Sequence, residues 1–184
     1  ADCRTQGDPI GWNSVLSSYS VSDIYVVAVS EDLKPVGEPK RLTFDDRRRY
    51  GLAWTPDGGE IVFSSNRLGG HRLWRISRSG SDQPQLLAYV GDNARFPAIS
   101  RRDRVGGARY SPDGNRIAFT SDHSGAYEIW VCEADGSNPM QLTSFGGPVT
   151  DHADWSPDGT RIAFHSRPEG RAEIYVIGSE GGRP

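Results

Sequence analysis

Bulky apolar residues recur two positions apart in short runs along this chain: Ile61 and Phe63, Ile117 and Phe119, Ile162 and Phe164. That spacing is the period of a half-buried β-strand. Each run follows a turn tetrad: Thr55-Pro56-Asp57-Gly58, Ser111-Pro112-Asp113-Gly114 or Ser156-Pro157-Asp158-Gly159. Proline presets φ at the second turn position, aspartate can bond its own backbone, and glycine accepts the left-handed conformation that closes a hairpin. After each run comes a polar, glycine-containing stretch, NRLGG, DHSGA or RPEGR, which is expected to be a loop. A second strand then ends in aromatic and β-branched residues, RLWR, EIWV or EIYV. Further turns fall at Ser79-Gly80, Asp135-Gly136 and Glu180-Gly181, and short final strands at Gln85–Leu87 and Gln141–Thr143.

The three units, starting at Leu52, Ala108 and Ala153, align without a gap. Trp54, Tyr110 and Trp155 share one column, Phe63, Phe119 and Phe164 a second, and Trp74, Trp130 and Tyr175 a third. The pattern predicts four short antiparallel strands per unit with no helix between them. A four-stranded meander repeated about an axis is a propeller blade. One blade cannot bury both of its faces, so neighbours must stack. The expected fold class is therefore all-β: a β-propeller of four-stranded antiparallel blades. At their repeat positions, Trp54, Trp74, Trp130 and Trp155 are expected in the core, while Trp12 lies outside the register.

The run Trp155-Ser156-Pro157-Asp158-Gly159, with Ile162-Ala163-Phe164 and Ile174-Tyr175-Val176 behind it, resembles the TolB-type propeller repeat. The resemblance extends over roughly Asp23 to the end. It implies a propeller of six blades, of which about four are present, so the chain is expected to be an arc of a larger propeller. The expected division of this single propeller region, 1–184, is a partial blade at 1–43, blades at 44–93 and 106–149, a truncated blade at 94–105, and a blade at 150–184 without its last strand. Tyr110 and Trp155 stand 45 residues apart, but the FPAIS segment around Ile99, which looks like a worn hairpin start, precedes Tyr110 by only 11. Either a deletion or an irregular connection at Arg101–Arg104 accounts for this.

Composition narrows the function classes. Twenty-one basic and 24 acidic side chains give a net charge of −3, with no global pull toward nucleic acid. The charged runs Asp45–Arg49 and Arg101–Arg104 mix both signs and lack interleaved aromatics, so they are no nucleic-acid footprint. No apolar run is long enough to span a membrane. The N-terminus shows no initiator methionine and no signal core, as expected of a mature or partial chain. Cys3 and Cys132 have no metal or disulfide spacing, and Cys132 reads as a small buried thiol. No nucleophile elbow or phosphate-binding glycine loop occurs. His71, His123, His152 and His165 show no metal-ligand spacing, although Asp122-His123 and Asp151-His152 pair a histidine with a carboxylate. No catalytic residue, metal ligand or cofactor is assigned.

The expected function is non-enzymatic: a scaffold whose rigid blades hold variable loops against a protein partner. The resemblance implies a bacterial protein of the periplasm or cell envelope, with the cytoplasm open through similar repeats in winged-helix regulators. The alternative is the propeller part of an enzyme, a prolyl-oligopeptidase-type peptidase or a metal-dependent lyase, with its catalytic part elsewhere. The candidate partner-binding residues, from loop position, are Arg47, Arg48 and Arg49 in one connector, Arg67 and His123 in aligned columns, and His152 ahead of Trp155.

Overall fold

A computed structural model describes residues 10–11, 23–47, 49–68, 70–88, 105–147 and 150–184. The described residues form four antiparallel sheets in chain order. The first contains β1 (Ile10–Gly11), β2 (Tyr25–Val29) and β3 (Pro35–Arg41). The second contains β4 (Arg49–Trp54), β5 (Glu60–Leu68), β6 (Gly70–Ser77) and β7 (Gln85–Ala88). The third contains β8 (Val105–Tyr110), β9 (Arg116–Ser121), β10 (Glu128–Glu133) and β11 (Met140–Gln141), and the fourth β12 (Asp151–Trp155), β13 (Arg161–Ser166) and β14 (Glu173–Gly178). Every sheet is an unbroken meander, each strand pairing with the next in sequence.

The aligned columns are cross-strand partners. Phe63 faces Trp74, Phe119 faces Trp130, and Phe164 faces Tyr175 in register. Because strand side chains alternate between faces, β5 and β9 each contribute to two neighbouring cores. Ile61 and Phe63 pack with Ile24 and Leu42 of the first sheet, while Val62 joins Ile117 and Phe119 of the third. Ala118 turns the other way, to Ile162 and Phe164 of the fourth. The hydrophobic cores thus lie between sheets. The outer face of the fourth sheet is open among the described residues. Ile174 is 81% exposed and Val176 48%, at columns where Ile129 and Val131 of the third sheet are buried.

The sequence reading and the structure differ at several boundaries, and the final strand of the third sheet is Met140–Gln141 and not Gln141–Thr143. The NRLGG stretch is largely strand: β5 runs through Arg67 to Leu68, which pairs with Gly70 after a register shift. Val105, assigned to the truncated blade, pairs with Ser121 as the first residue of β8, because pairing continues upstream of Gly106. The rest of that proposed blade, residues 94–104, and residues 1–9 and 12–22 of the proposed partial first blade lie outside the described residues, Trp12 and Cys3 among them.

Each tetrad is a hairpin turn of the expected kind. Gly58, Gly114 and Gly159 donate to the carbonyls of Thr55, Ser111 and Ser156, with φ of 64°, 74° and 69°. The turn aspartates close the motif from the side. Asp158 Oδ1 accepts from the Ser156 hydroxyl at 2.6 Å, the Thr160 N–H at 3.0 Å and the Thr160 hydroxyl at 2.8 Å. These donors favour the ionised carboxylate and hold Asp158 down to about 2, from an ordinary 3.8. Asp57 and Asp113 are lowered for the same reason. A carboxylate lowered in the folded state stabilises the fold above its unfolded pKa and loses that contribution as pH falls through the folded value. Between pH 4 and 2 the melting temperature of the wild type is therefore expected to fall more steeply than that of Asp158→Asn, as thermal melts followed by circular dichroism would show. Parallel curves would contradict this role.

Candidate functional site

Antiparallel pairing sends the tetrad turns to one end of the sheets and the blade-to-blade connectors to the other, together with the β5–β6, β9–β10 and β13–β14 connections. Every described candidate from the sequence lies at this connector end. Their roles differ sharply.

Arg49 is buried. Its guanidinium pairs with Asp45 and, at 3.3 Å, with Asp23, and donates to the carbonyls of Arg47 and Asp45 at 3.1 and 3.0 Å. Burial lowers its pKa to about 10, with Asp23 opposing the shift. Arg67 reaches the same connector, donating to Asp45 Oδ2 from Nε at 3.0 Å and Nη2 at 2.6 Å. Its guanidinium also lies 5.2 Å from the Trp74 ring centroid, within cation–π range. Asp23 completes the cluster, pairing with Arg41 and accepting from Thr43 Oγ1 at 3.0 Å. Arg49 and Arg67 therefore clasp the first sheet to the second and are not free for a partner. Of the connector arginines, Arg47 is exposed and Arg48 lies outside the described residues.

His123 is exposed and edges onto Trp130, with ring centroids 5.8 Å apart. It occupies the column of Arg67, so the two aligned polar groups cover the two aligned tryptophans. A second clasp was not visible in the residue pattern. Glu128, fully buried, accepts from Thr143 Oγ1 at 2.5 Å and from the Gly146 N–H at 2.8 Å, while Ile129 N–H donates to Thr143 Oγ1 at 2.9 Å. Asp23, Ile24 and Thr43 repeat this arrangement in the first sheet. The recurrence of an acidic residue at the start of one strand, Asp23 ahead of β2 and Glu128 opening β10, and of Leu-Thr after the next, behind β3 and β11, is the signal that could have revealed it.

The histidines are brought together by strand pairing. Asp151 pairs with His165 across β12 and β13, and this register brings Asp151, His152 and His165 together. Asp151 Oδ1 lies 2.6 Å from Nδ1 of both histidines, whose ring centroids are 5.0 Å apart. Beneath them the buried hydroxyls of Thr150 and Ser166 meet at 2.8 Å. Sequence spacing hid this convergence because the partners sit on different strands. Cys132 agrees with its reading: it is buried, and burial pushes its thiol up to about 12, far from a reactive thiolate.

Meanders stacked face to face, with cores between them, define a β-propeller, and the described sheets form an arc of one. The family model described as the TolB beta propeller domain matches residues 94–184. Those residues belong to that family, and the chain is a TolB-like β-propeller segment. The Tol-Pal system protein TolB of Anaeromyxobacter dehalogenans (strain 2CP-C) is 42% identical over 92 residues, covering 50% of this chain and 18% of that protein. An uncharacterized protein of Agrobacterium fabrum is 31% identical over 140 residues, covering 71% of this chain and 42% of its own. The chain thus spans less than half the length of either relative. The solved structure of a putative TolB from Agrobacterium tumefaciens superposes with a TM-score of 0.61 at 22% identity, over 88% of this chain and 59% of that one, a likeness of fold.

Proposed function

We propose that this chain is a non-enzymatic scaffold that docks another protein at the connector end of its blades, in the cell envelope. The observation that carries the reading is the division of labour among the arginines. Arg49 and Arg67 fix the Asp45 connector with ion pairs, leaving the Arg47 side chain projecting from a braced loop. A loop held this way binds at low ordering cost, and exposed arginine is a favoured interface anchor. The similarity to TolB supports a protein partner, since that relative is by its name a protein of the Tol-Pal system.

Cross-linking with mass spectrometry in cells that produce the chain tests the reading. Cross-links to a protein partner are expected within residues 44–47, 122–127 and 167–172, with at least a tenfold loss of captured partner in Arg47→Glu. Partner cross-links confined to the tetrad-turn end, or capture unchanged by the substitution, would contradict it.

A further inference from the structure

The geometry points to a divalent transition-metal site, of the zinc class, formed by Asp151, His152 and His165 at the connector end of the fourth sheet. One carboxylate and two imidazoles present one ligand atom each, all within 4.8 Å of one another. Imidazole and carboxylate together suit zinc and its neighbours. Ligand atoms around a tetrahedral zinc stand roughly 3.3 Å apart, given metal–ligand bonds of about 2.0 Å. Asp151 Oδ1 now stands 2.6 Å from each Nδ1, so the carboxylate must draw back from both imidazoles by under about 1 Å to make room for the ion. Three protein ligands leave a fourth position, which faces solvent beside His152, 80% exposed at its side chain. Water or a carboxylate from outside the chain can occupy it.

The backbone supplies a second, independent observation. Each first strand carries a register shift at the same place, between Tyr50 and Ala53, Gly106 and Arg109, and Asp151 and Asp154. The residue inside that shift is left-handed in all three sheets. In the second and third it is glycine, Gly51 at φ 59° and Gly107 at φ 66°; in the fourth it is His152 at φ 59°. A side chain in this conformation is disfavoured, and the column accommodates glycine twice. The other two ligands are equally specific to the fourth sheet: Asp151 aligns with Tyr50 and Gly106, and His165 with Ser64 and Thr120. Strain kept at one repeat and absent from its siblings marks a place where the side chain has a use. Convergence on Asp151 supplies that use.

The test is a titration of the full chain with cobalt(II) and zinc(II) chlorides at neutral pH, by calorimetry and by the visible absorption of cobalt. One ion per chain is expected, with cobalt bands typical of four-coordinate nitrogen and oxygen ligation. His152→Gly restores the residue found at this column in the other sheets, so its melting temperature should equal or exceed that of the wild type. Its metal affinity should nevertheless fall at least tenfold, as should that of His165→Ala. Absence of binding by the wild type would overturn the site. So would binding that survives His152→Gly unchanged, since the ion would then be held elsewhere.

Discussion

Truncating Phe119 to alanine is expected to destabilise the fold by about 3–5 kcal/mol. Phe119 has no solvent exposure and sits on β9 between the second and third sheets, in one cluster with Val62, Leu73, Leu87 and Trp130. Its column is the central one of the repeat, and Trp130 is its cross-strand partner. The cavity left behind would be lined from both sheets, each held by its own hydrogen-bond ladder, so it cannot collapse without moving one sheet toward the other. This places the cost in the upper part of the range for large-to-small core substitutions. Urea unfolding would show the change as a lower midpoint at an unchanged slope. A loss below about 1 kcal/mol would mean that the sheets do not share this core.

Gly51→Ala is the second large effect. A Cβ at Gly51 would lie 2.5 Å from the backbone nitrogen and 3.0 Å from the Cα of Gly107, on the neighbouring sheet. Backbone cannot swing aside as a flexible side chain can, so the inner strands β4 and β8 must separate. To this is added about 1–2 kcal/mol for a side chain in left-handed backbone. Gly107→Ala is the internal control. Gly107 has φ 66° but no atom within 4 Å of its virtual Cβ, so it should show the conformational cost alone. Stability curves that place Gly51→Ala well below Gly107→Ala would demonstrate the close approach. Equal losses would remove it.

Much of this architecture is legible in the residues, for reasons specific to repeats. Phe63, Phe119 and Phe164 align because each does the same job between the same kinds of neighbours, so three copies report one environment. The tetrads are equally transparent, since Pro, Asp and Gly each answer a local requirement of the turn. Pairings across the connector end were not legible. Asp45 and Arg67 stand 22 residues apart, and Asp23 meets Arg49 from another sheet. Loop position alone therefore marked Arg49 and Arg67 as available to a partner, whereas burial and ion pairing commit them to the fold.

The histidine cluster is the instructive intermediate case. Nothing in the spacing of Asp151, His152 and His165 resembles a ligand set, because the register of one hairpin, not sequence distance, brings them together. The aligned columns nevertheless held a clue. His152 stands where Gly51 and Gly107 stand, and a bulky residue in a glycine column signals either strain or purpose. Departures from a repeat therefore say more about function than the repeat does. The columns shared by all sheets describe how blades stack, and the columns where one blade differs describe what it does.

The central claim is that the cores lie between the sheets, binding four small meanders into one propeller arc. Native-state hydrogen exchange on the wild type and on Phe119→Ala tests it most directly. The account predicts that the slowest amides fall in β5, β9 and β13, and that Phe119→Ala lowers protection in β5 and β6 of the second sheet as well as in β9 and β10 of its own. Loss of protection confined to the third sheet, with β5 and β6 unchanged, would contradict the account, because each meander would then be holding itself together.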